Sequence, residues 1–167
     1  MRPPDLATDN APEWLAWRHA INWFKSERGH FDAFVSLPAT APFRNSSDVD
    51  ACLNLFCVHP DTDAVITVRE AERSPYFNMV RLDADGYARL VIETTTAPTR
   101  RQDVPAVFDM TTVAYVARPA FVLSESRIFE GKVRAVQVPR ERSLDIDTPF
   151  DFRLAEFLLQ TRAAEEE

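Results

Sequence analysis

Apolar residues recur along this chain at two spacings, and segments of one kind alternate with segments of the other. A spacing of three or four residues predicts helices over about 12–29, 46–59 and 149–162, with a short helix near 119–123. Runs rich in Val, Ile and Ala lie between them and are typical of strands that are buried on both faces. The predicted strands cover residues 31–37, 64–68, 112–117 and 133–138.

A β-hairpin is predicted near the middle of the chain. Its arms are residues 76–82 and 87–92, and the turn between them is Asp83-Ala84-Asp85-Gly86. A polar connection, residues 94–108, follows the hairpin and is long for a compact domain. We therefore expect one domain over 1–167, with 70–110 as an excursion from it.

The alternation of helices and strands predicts an α/β domain of three layers, with a mainly parallel, Rossmann-like sheet and an antiparallel hairpin excursion. A doubly wound domain normally opens on a strand, and the turn after that strand holds phosphate groups. This sequence opens on a helix, and none of its three glycines lies in a Gly-rich turn between strand and helix. We therefore expect an N-terminally truncated form of such a fold, without the opening strand and its turn.

Charge and composition exclude several classes of protein. The net charge of −7 and the lack of a basic stripe argue against a general nucleic-acid binder. No apolar run approaches the length of a membrane span and the N-terminus is unlike a signal peptide, so we expect a cytoplasmic protein. Cys52 and Cys57 are expected to be reduced and at least partly buried, and not to bind metal.

Asp145 and Asp147 are two carboxylates that lie two positions apart, just after the last predicted strand. In an extended segment the side chains at i and i+2 leave the same face, so both carboxylates would point one way. Thr148, Pro149 and Asp151 then have the pattern of a capped helix start, which places the pair between a strand and a helix, where α/β sheets bind ligands. A divalent cation such as Mg²⁺ would relieve the repulsion between the carboxylates. The alternative is a solvated turn, and spacing by itself favours it, because a bare D-x-D motif is weak.

Two further polar clusters lie in predicted loops. Thr40 and Arg44 belong to a loop of small residues, 38–44, which follows the first strand. Arg44 is the last residue of this loop and its only cation. Residues 100–103, Arg-Arg-Gln-Asp, lie in the long connection. Arginine suits carboxylate and phosphate groups because its planar head makes two-pronged hydrogen bonds, although such loops are more often solvated surface. No Ser-His-Asp or Cys-His arrangement supports hydrolase chemistry.

Four segments occur in an order that resembles a known family. They read RPPDLATD at residues 2–9, LPATAPFR at 37–44, RQDVP at 101–105 and RSLDIDT at 142–148. Together with Tyr115 and the closing helix, they resemble the acylneuraminate cytidylyltransferases, which are the CMP-sialic acid synthetases and their bacterial nonulosonate relatives. The resemblance covers nearly the whole chain.

The resemblance implies a nucleotide-diphospho-sugar transferase fold and a nucleotidyltransferase reaction. In that reaction CTP and a nine-carbon sialic-type acid give a CMP-sugar and pyrophosphate, with Mg²⁺ as cofactor, for surface polysaccharide biosynthesis. Asp145 and Asp147 would be the catalytic residues and metal ligands. The hairpin and its connection would form a dimerisation and lid region, so a homodimer is expected.

The resemblance also implies residues that bind the two substrates. On the sugar side these would be Arg101, Gln102, Tyr115 and Phe129, the last of which would contribute to a partner's pocket. On the nucleotide side, Thr40 and Arg44 would lie in the loop beside CTP.

The sequence departs from the family pattern in ways that bear on activity. The family opens with a strand, a Gly-containing loop with Arg and Lys, and a helix, and no such segment is recognisable before Asp9. Pro38 stands in place of a loop Gln, and Asp109 in place of an Arg that often precedes the strand of Tyr115, so the sugar is not specified. We expect little turnover from this chain alone. The alternatives are a non-catalytic homologue acting as a sugar-binding or assembly subunit and, ranked last, a D-x-D glycosyltransferase.

Overall fold

The structure is a computed structural model, and it describes residues 2–8, 10–93, 100 and 103–165, with side-chain surroundings as far as residue 161. Within these residues the helices are α1 (Glu13–Arg28), α2 (Ser46–Val58), α3 (Pro119–Ser124) and α4 (Pro149–Glu165). The strands are β1 (Phe34–Ser36), β2 (Ala64–Glu70), β3 (Val80–Leu82), β4 (Ala88–Leu90), β5 (Phe108–Ala117) and β6 (Val133–Gln137). Short 3-10 turns cover Pro4–Leu6, Ile128–Glu130 and Arg140–Arg142.

The predicted helices and strands occur in the predicted order, and the differences lie at their ends. β1 is shorter than predicted and begins only at Phe34. Before it, Phe31 packs edge-on against Phe24 of α1, with ring centroids 4.8 Å apart. The first hairpin strand also begins late. The carbonyl oxygen of Ser74 accepts hydrogen bonds from the backbone N–H groups of Phe77 and Met79, so this stretch is a turn.

The main sheet has the strand order β1-β5-β2-β6. β2 and β6 are parallel and in register from Ala64 opposite Val133 to Val68 opposite Gln137. β1 is antiparallel to β5, a pairing that the sequence did not indicate. The fold class is nevertheless the one predicted, a mixed α/β domain with a mainly parallel sheet.

Helices cover both faces of the central strands. On one face Ile66 shares a buried cluster with Trp17 of α1 and Phe121 of α3. On the other face Val65 shares a buried cluster with Phe56 of α2. Because neighbouring residues on a strand point to opposite faces, β2 is buried on both sides, and the result is the three-layer arrangement expected from the sequence.

Arg69–Asp109 form a compact unit of their own, in addition to the unit made by Met1–Val68 and Met110–Glu167. In the smaller unit β3 and β4 pair as an antiparallel hairpin. The Asp83 carboxylate accepts the backbone N–H of Asp85 at 3.2 Å and that of Tyr87 at 2.9 Å, so it fixes the turn. The lid or dimerisation role of 70–110 stays a prediction.

The two cysteines differ in their burial. Both cysteines are free thiols, and Cys52 is buried as expected. Cys57 is exposed, so its expected partial burial is wrong. Burial, followed by the negative charge of Asp48, raises the pKa of Cys52 to about 11, so this thiol stays protonated and serves as a core residue. Among the described residues, no helix has the length and apolar character needed to cross a membrane.

Gly131, which precedes β6, is expected to tolerate no side chain. An added Cβ would lie 2.4 Å from Cε2 of Phe121 and 2.8 Å from the Cβ of Asp63. The Phe121 ring is buried and packs edge-on against Trp14, so it has little room to move. We predict that Gly131→Ala lowers the free energy of unfolding by about 1–3 kcal/mol in urea denaturation, as overpacked sites do.

A double-mutant cycle with Phe121→Leu provides the control for this prediction. The smaller side chain removes the ring atoms that the new methyl group would meet, so Gly131→Ala should cost less in that background. Equal costs in the two backgrounds would show that the ring contact is not the reason.

Candidate active site

The loop between β1 and α2 is held by the side chain of Arg44. Its Nε donates to the carbonyl oxygen of Ala41 at 3.0 Å, and its Nη2 donates to the carbonyl oxygen of Pro38. Nη1 is buried and has no hydrogen-bond partner among the described residues, and burial lowers the pKa of Arg44. Thr40 lies exposed at the tip of the loop. The guanidinium therefore braces the loop from inside and keeps one nitrogen without an acceptor.

The segment with Asp145 and Asp147 lies against the tip of this loop. The backbone N–H of Ile146 donates to the carbonyl oxygen of Thr40 at 2.9 Å. Asp147 is exposed and Asp145 is half-buried. Oδ1 of Asp145 is buried and has no hydrogen-bond partner in the part of the chain that the structure describes. In a solvated turn both carboxylates would lie in water, whereas Oδ1 of Asp145 is buried.

The helix that follows the pair begins as the sequence predicts. Oδ2 of Asp151 accepts hydrogen bonds from the backbone N–H of Thr148 at 2.8 Å and from its Oγ1 at 2.6 Å. These hydrogen bonds, led by the one from the Thr148 hydroxyl, outweigh the loss of solvent and hold the pKa of Asp151 below its ordinary value. Since Asp151 is committed to the start of α4, it does not add a free carboxylate to the pair.

Asp48 and Arg142 form an ion pair that the sequence analysis missed. Nη2 of Arg142 lies 2.8 Å from Oδ1 of Asp48, and Nε lies 3.0 Å from Oδ2. Asp48 is only 3% exposed, and it also closes a capping box with Asn45 at the start of α2. The cap is readable from the spacing Asn-x-x-Asp, but nothing in the sequence indicates a partner 94 positions later.

The pKa of Asp48 reflects this environment. Burial by itself would raise the pKa of the carboxyl group. Hydrogen bonds from the Arg142 side chain and from the backbone N–H of Asn45, together with the positive charge of Arg142, outweigh burial and hold the pKa below its ordinary value. The same hydrogen bond raises the pKa of Arg142. Both partners are therefore charged at neutral pH.

Tyr115 has its ring in the core, and two acidic residues influence its pKa. The ring lies 5.4 Å from that of Trp17, centroid to centroid. Burial raises the pKa of Tyr115 first, and the negative charges of Glu13 and Asp145 raise it further. Glu13, which accepts a hydrogen bond from Oγ of Ser36 at 3.3 Å, is thus a member of this region that the sequence analysis did not identify.

The other residues implied by the resemblance are placed differently. Arg101 and Gln102 lie outside the described residues. Phe129 is 68% exposed and precedes the amino end of β6, whereas Asp145 and Asp147 follow its carboxyl end. Phe129 therefore does not join the aspartate pair of its own chain, and an exposed ring is what its proposed role in a partner's pocket requires.

The donors around Asp145 suit a magnesium ion shared with phosphate groups. Mg²⁺ prefers oxygen ligands and is often held by one or two carboxylates together with water and substrate phosphates. Asp145 and Asp147 could supply such carboxylates, and Oδ1 of Asp145 is not engaged by any described group. In the described ranges no set of three or more His, Cys, Asp or Glu could hold an ion. An ion held by the two aspartates would take its remaining ligands from water or from substrate phosphates.

Comparison with solved structures identifies the class of fold. The structure of CMP:2-keto-3-deoxy-manno-octonic acid synthetase complexed with CTP matches with a TM-score of 0.58. The match has 13% sequence identity and covers 92% of this chain and 70% of that chain. At this identity the likeness shows the fold alone, which is the fold that this synthetase has.

Sequence comparison identifies the family. No family model matches the chain. Post-translational flagellin modification protein B of Campylobacter coli is 30% identical over 165 residues, which are 96% of this chain and 67% of that protein. The N-acylneuraminate cytidylyltransferase of Streptococcus agalactiae serotype V is 29% identical over 152 residues, which are 91% of this chain. The chain belongs to the acylneuraminate cytidylyltransferase family, as the resemblance in its sequence indicated. It spans about two thirds of the first relative and 35% of the second.

The Asp48–Arg142 pair should make stability depend on pH in the acid range. Because the pKa of Asp48 is lower in the folded chain, the carboxylate's contribution is complete above the unfolded value near 3.8 and is lost as pH falls through the folded value. We predict that Asp48→Asn lowers the Tm by roughly 5 °C at neutral pH, and that this difference from wild type shrinks in acid. Calorimetry at a series of pH values measures it.

Asp50→Asn is the matched control, since Asp50 is exposed on the same helix. Its Tm should follow that of wild type at every pH. A deficit of Asp48→Asn that stayed constant down to the lowest pH would contradict the lowered pKa of Asp48.

Proposed function

We propose that this chain joins CTP to a nine-carbon acid sugar of the sialic type, giving a CMP-sugar and pyrophosphate. The proposal rests on the contact between residues 143–147 (the aspartate segment) and residues 38–44 (the Thr40 loop), where Ile146 is hydrogen-bonded to Thr40. Oδ1 of Asp145, in the aspartate segment, has no hydrogen-bond partner among the described residues. Membership of the cytidylyltransferase family supports the proposal.

The reaction needs positive charge and orientation more than a covalent nucleophile. The anomeric hydroxyl oxygen of the sugar attacks the α-phosphorus of CTP, the bond from that phosphorus to the bridging oxygen breaks, and pyrophosphate leaves as the hydroxyl proton is released. When bound, Mg²⁺ supplies positive charge that stabilises the phosphate oxygens in the transition state. Asp145 and Asp147 would hold the ion.

The Thr40 loop would form the nucleotide side of the site. Arg44 fixes the carbonyl groups of this loop, and its buried Nη1 adds positive charge near the loop. The hydrogen bond from Ile146 to Thr40 joins the Thr40 loop to the aspartate segment. The loop that would bind the nucleotide and the segment that would bind the ion are therefore in direct contact. Fixed donors and charges of this kind favour a transition state because they need no reorganisation during the reaction.

The sugar side of the proposal rests on the resemblance in the sequence. Arg101 and Gln102 would bind the acid sugar, and the Arg101 guanidinium suits its carboxylate because both groups are planar. Tyr115 would present its hydroxyl end, near Asp145. The exposed Phe129 would reach the pocket of a second copy, which makes a homodimer part of the proposal. The CMP-sugar product would serve the synthesis of surface polysaccharide.

Pyrophosphate release is the test of the proposed reaction. The proposal predicts that release, however slow, requires CTP, Mg²⁺ and a nonulosonic acid together, and that CMP-sugar accumulates in equal amount. Binding of CTP and the acid sugar without release would support a sugar-binding or assembly subunit instead. A chain that binds neither substrate would refute both functions.

The aspartate pair should control nucleotide binding. We predict that Asp145→Asn and Asp147→Asn each weaken Mg²⁺-dependent CTP binding by at least about tenfold, or about 1.4 kcal/mol, because an amide is a poorer ligand than a carboxylate. Calorimetric titrations with and without Mg²⁺ measure the effect. Asp50 is an exposed carboxylate on α2, distant in sequence from the pair, so Asp50→Asn should bind CTP like wild type. Equal CTP affinity in all four proteins would exclude the metal role.

A further inference from the structure

We propose that the Asp48–Arg142 ion pair positions the segment of Asp145 and Asp147. Arg142 and Asp48 would thus act through the two aspartates and would not themselves touch the substrate. The consequence for nucleotide binding rests on the proposed function, but the structural part can be tested without any substrate.

The aspartate segment has no secondary structure to hold it. Residues 143–147 lie between the 3-10 turn Arg140–Arg142 and the start of α4, and they form neither helix nor strand. No described group donates a hydrogen bond to Oδ1 of Asp145. The position of the carboxylates therefore depends on contacts made by their neighbours in the chain.

Contacts hold the segment at both ends. After Asp145, the backbone N–H of Ile146 is bound to Thr40. Before it, Ser143 is buried, and its Oγ donates to the carbonyl oxygen of Arg140 at 3.0 Å. Arg142, next to Ser143, connects this end to another element through Asp48.

Asp48 is a firm attachment point because it is fixed in turn. Its backbone N–H donates to Oδ1 of Asn45 at 3.2 Å, while its own Oδ2 accepts the backbone N–H of Asn45 at 3.1 Å. One and two turns further along the same helix, Cys52 and Phe56 are buried in the core. A two-pronged contact from Arg142 to this position transmits the rigidity of α2 to the aspartate segment, which a single flexible charge could not do.

The pair also determines which carboxylate the Arg142 guanidinium contacts. Nη2 of Arg142 lies 2.8 Å from Oδ1 of Asp48. Asp48 engages both Nε and Nη2 of the guanidinium. These two donors of Arg142 are therefore not available to Asp145, although Arg142 lies only three residues before it.

The test replaces the two-pronged contact and keeps the charge. Arg142→Lys retains a cation that cannot form the planar contact. Its matched control is Arg134→Lys near the amino end of β6, where Nε of Arg134 binds Oγ1 of Thr62 at 3.0 Å and Nη2 lies 3.8 Å from Asp61. Amide hydrogen exchange is measured by NMR without substrate, and Mn²⁺ binding is titrated in the presence of CTP.

In Arg142→Lys we expect amide exchange at Ile146 to become about tenfold faster, with exchange at the core residues Val65 and Val116 unchanged. Mn²⁺ binding with CTP should weaken by about tenfold, which is the usual effect of losing a group that orients metal ligands. Arg134→Lys should change neither quantity.

Unchanged exchange at Ile146 would overturn the inference whatever the activity. So would faster exchange at all core amides to the same extent, because that is the result of a merely structural pair. If Arg142→Lys does not fold, Asp48→Asn removes the pair from the other side. If the wild type binds no Mn²⁺ with CTP, the proposed function fails, and the exchange data still decide whether the pair positions the segment.

Discussion

The rest of the structure depends on the burial of the central strands on both faces. Val65, Val113 and Val116 are fully buried, and helices cover the two sides of the sheet. Side chains that must meet a charged ligand have no place on such faces, because an unpaired charge in the core costs too much. Polar chemistry is therefore confined to the ends of the strands and to the loops that leave them, as it is in other α/β domains.

The two loops of the candidate site show how this constraint works. One follows β1 and the other follows β6, although β5 and β2 lie between these strands in the sheet. The hydrogen bond from Ile146 to Thr40 shows that the loops meet across that distance. A site built from the two loops thus combines residues about a hundred positions apart, and each residue is close to a rigid element that holds it.

Local rules account for much of what the sequence predicted correctly. The start of α4 follows from Thr148 and Asp151, and the order of helices and strands follows from apolar spacing. The antiparallel pairing of β1 with β5 and the partner of Asp48 depend on contacts between distant parts of the chain, about which a single sequence carries no signal. Glu13 was missed for a related reason. At the start of a helix it looks like an ordinary favourable charge, and only the fold brings it to Tyr115.

The polar atoms of the site differ in whether they have partners, and the difference is informative. Asp48 and Arg142 are hydrogen-bonded to one another, as are Thr148 and Asp151. Oδ1 of Asp145 has no hydrogen-bond partner among the described residues. A buried polar atom without a partner costs about 1–3 kcal/mol in a folded protein. This atom lies in a segment without regular secondary structure, which the contacts of Ile146 and Ser143 hold on both sides of it. Such a distribution is expected where an atom is reserved for a ligand, since the contacts that fix the segment then also offset the cost of leaving the atom free.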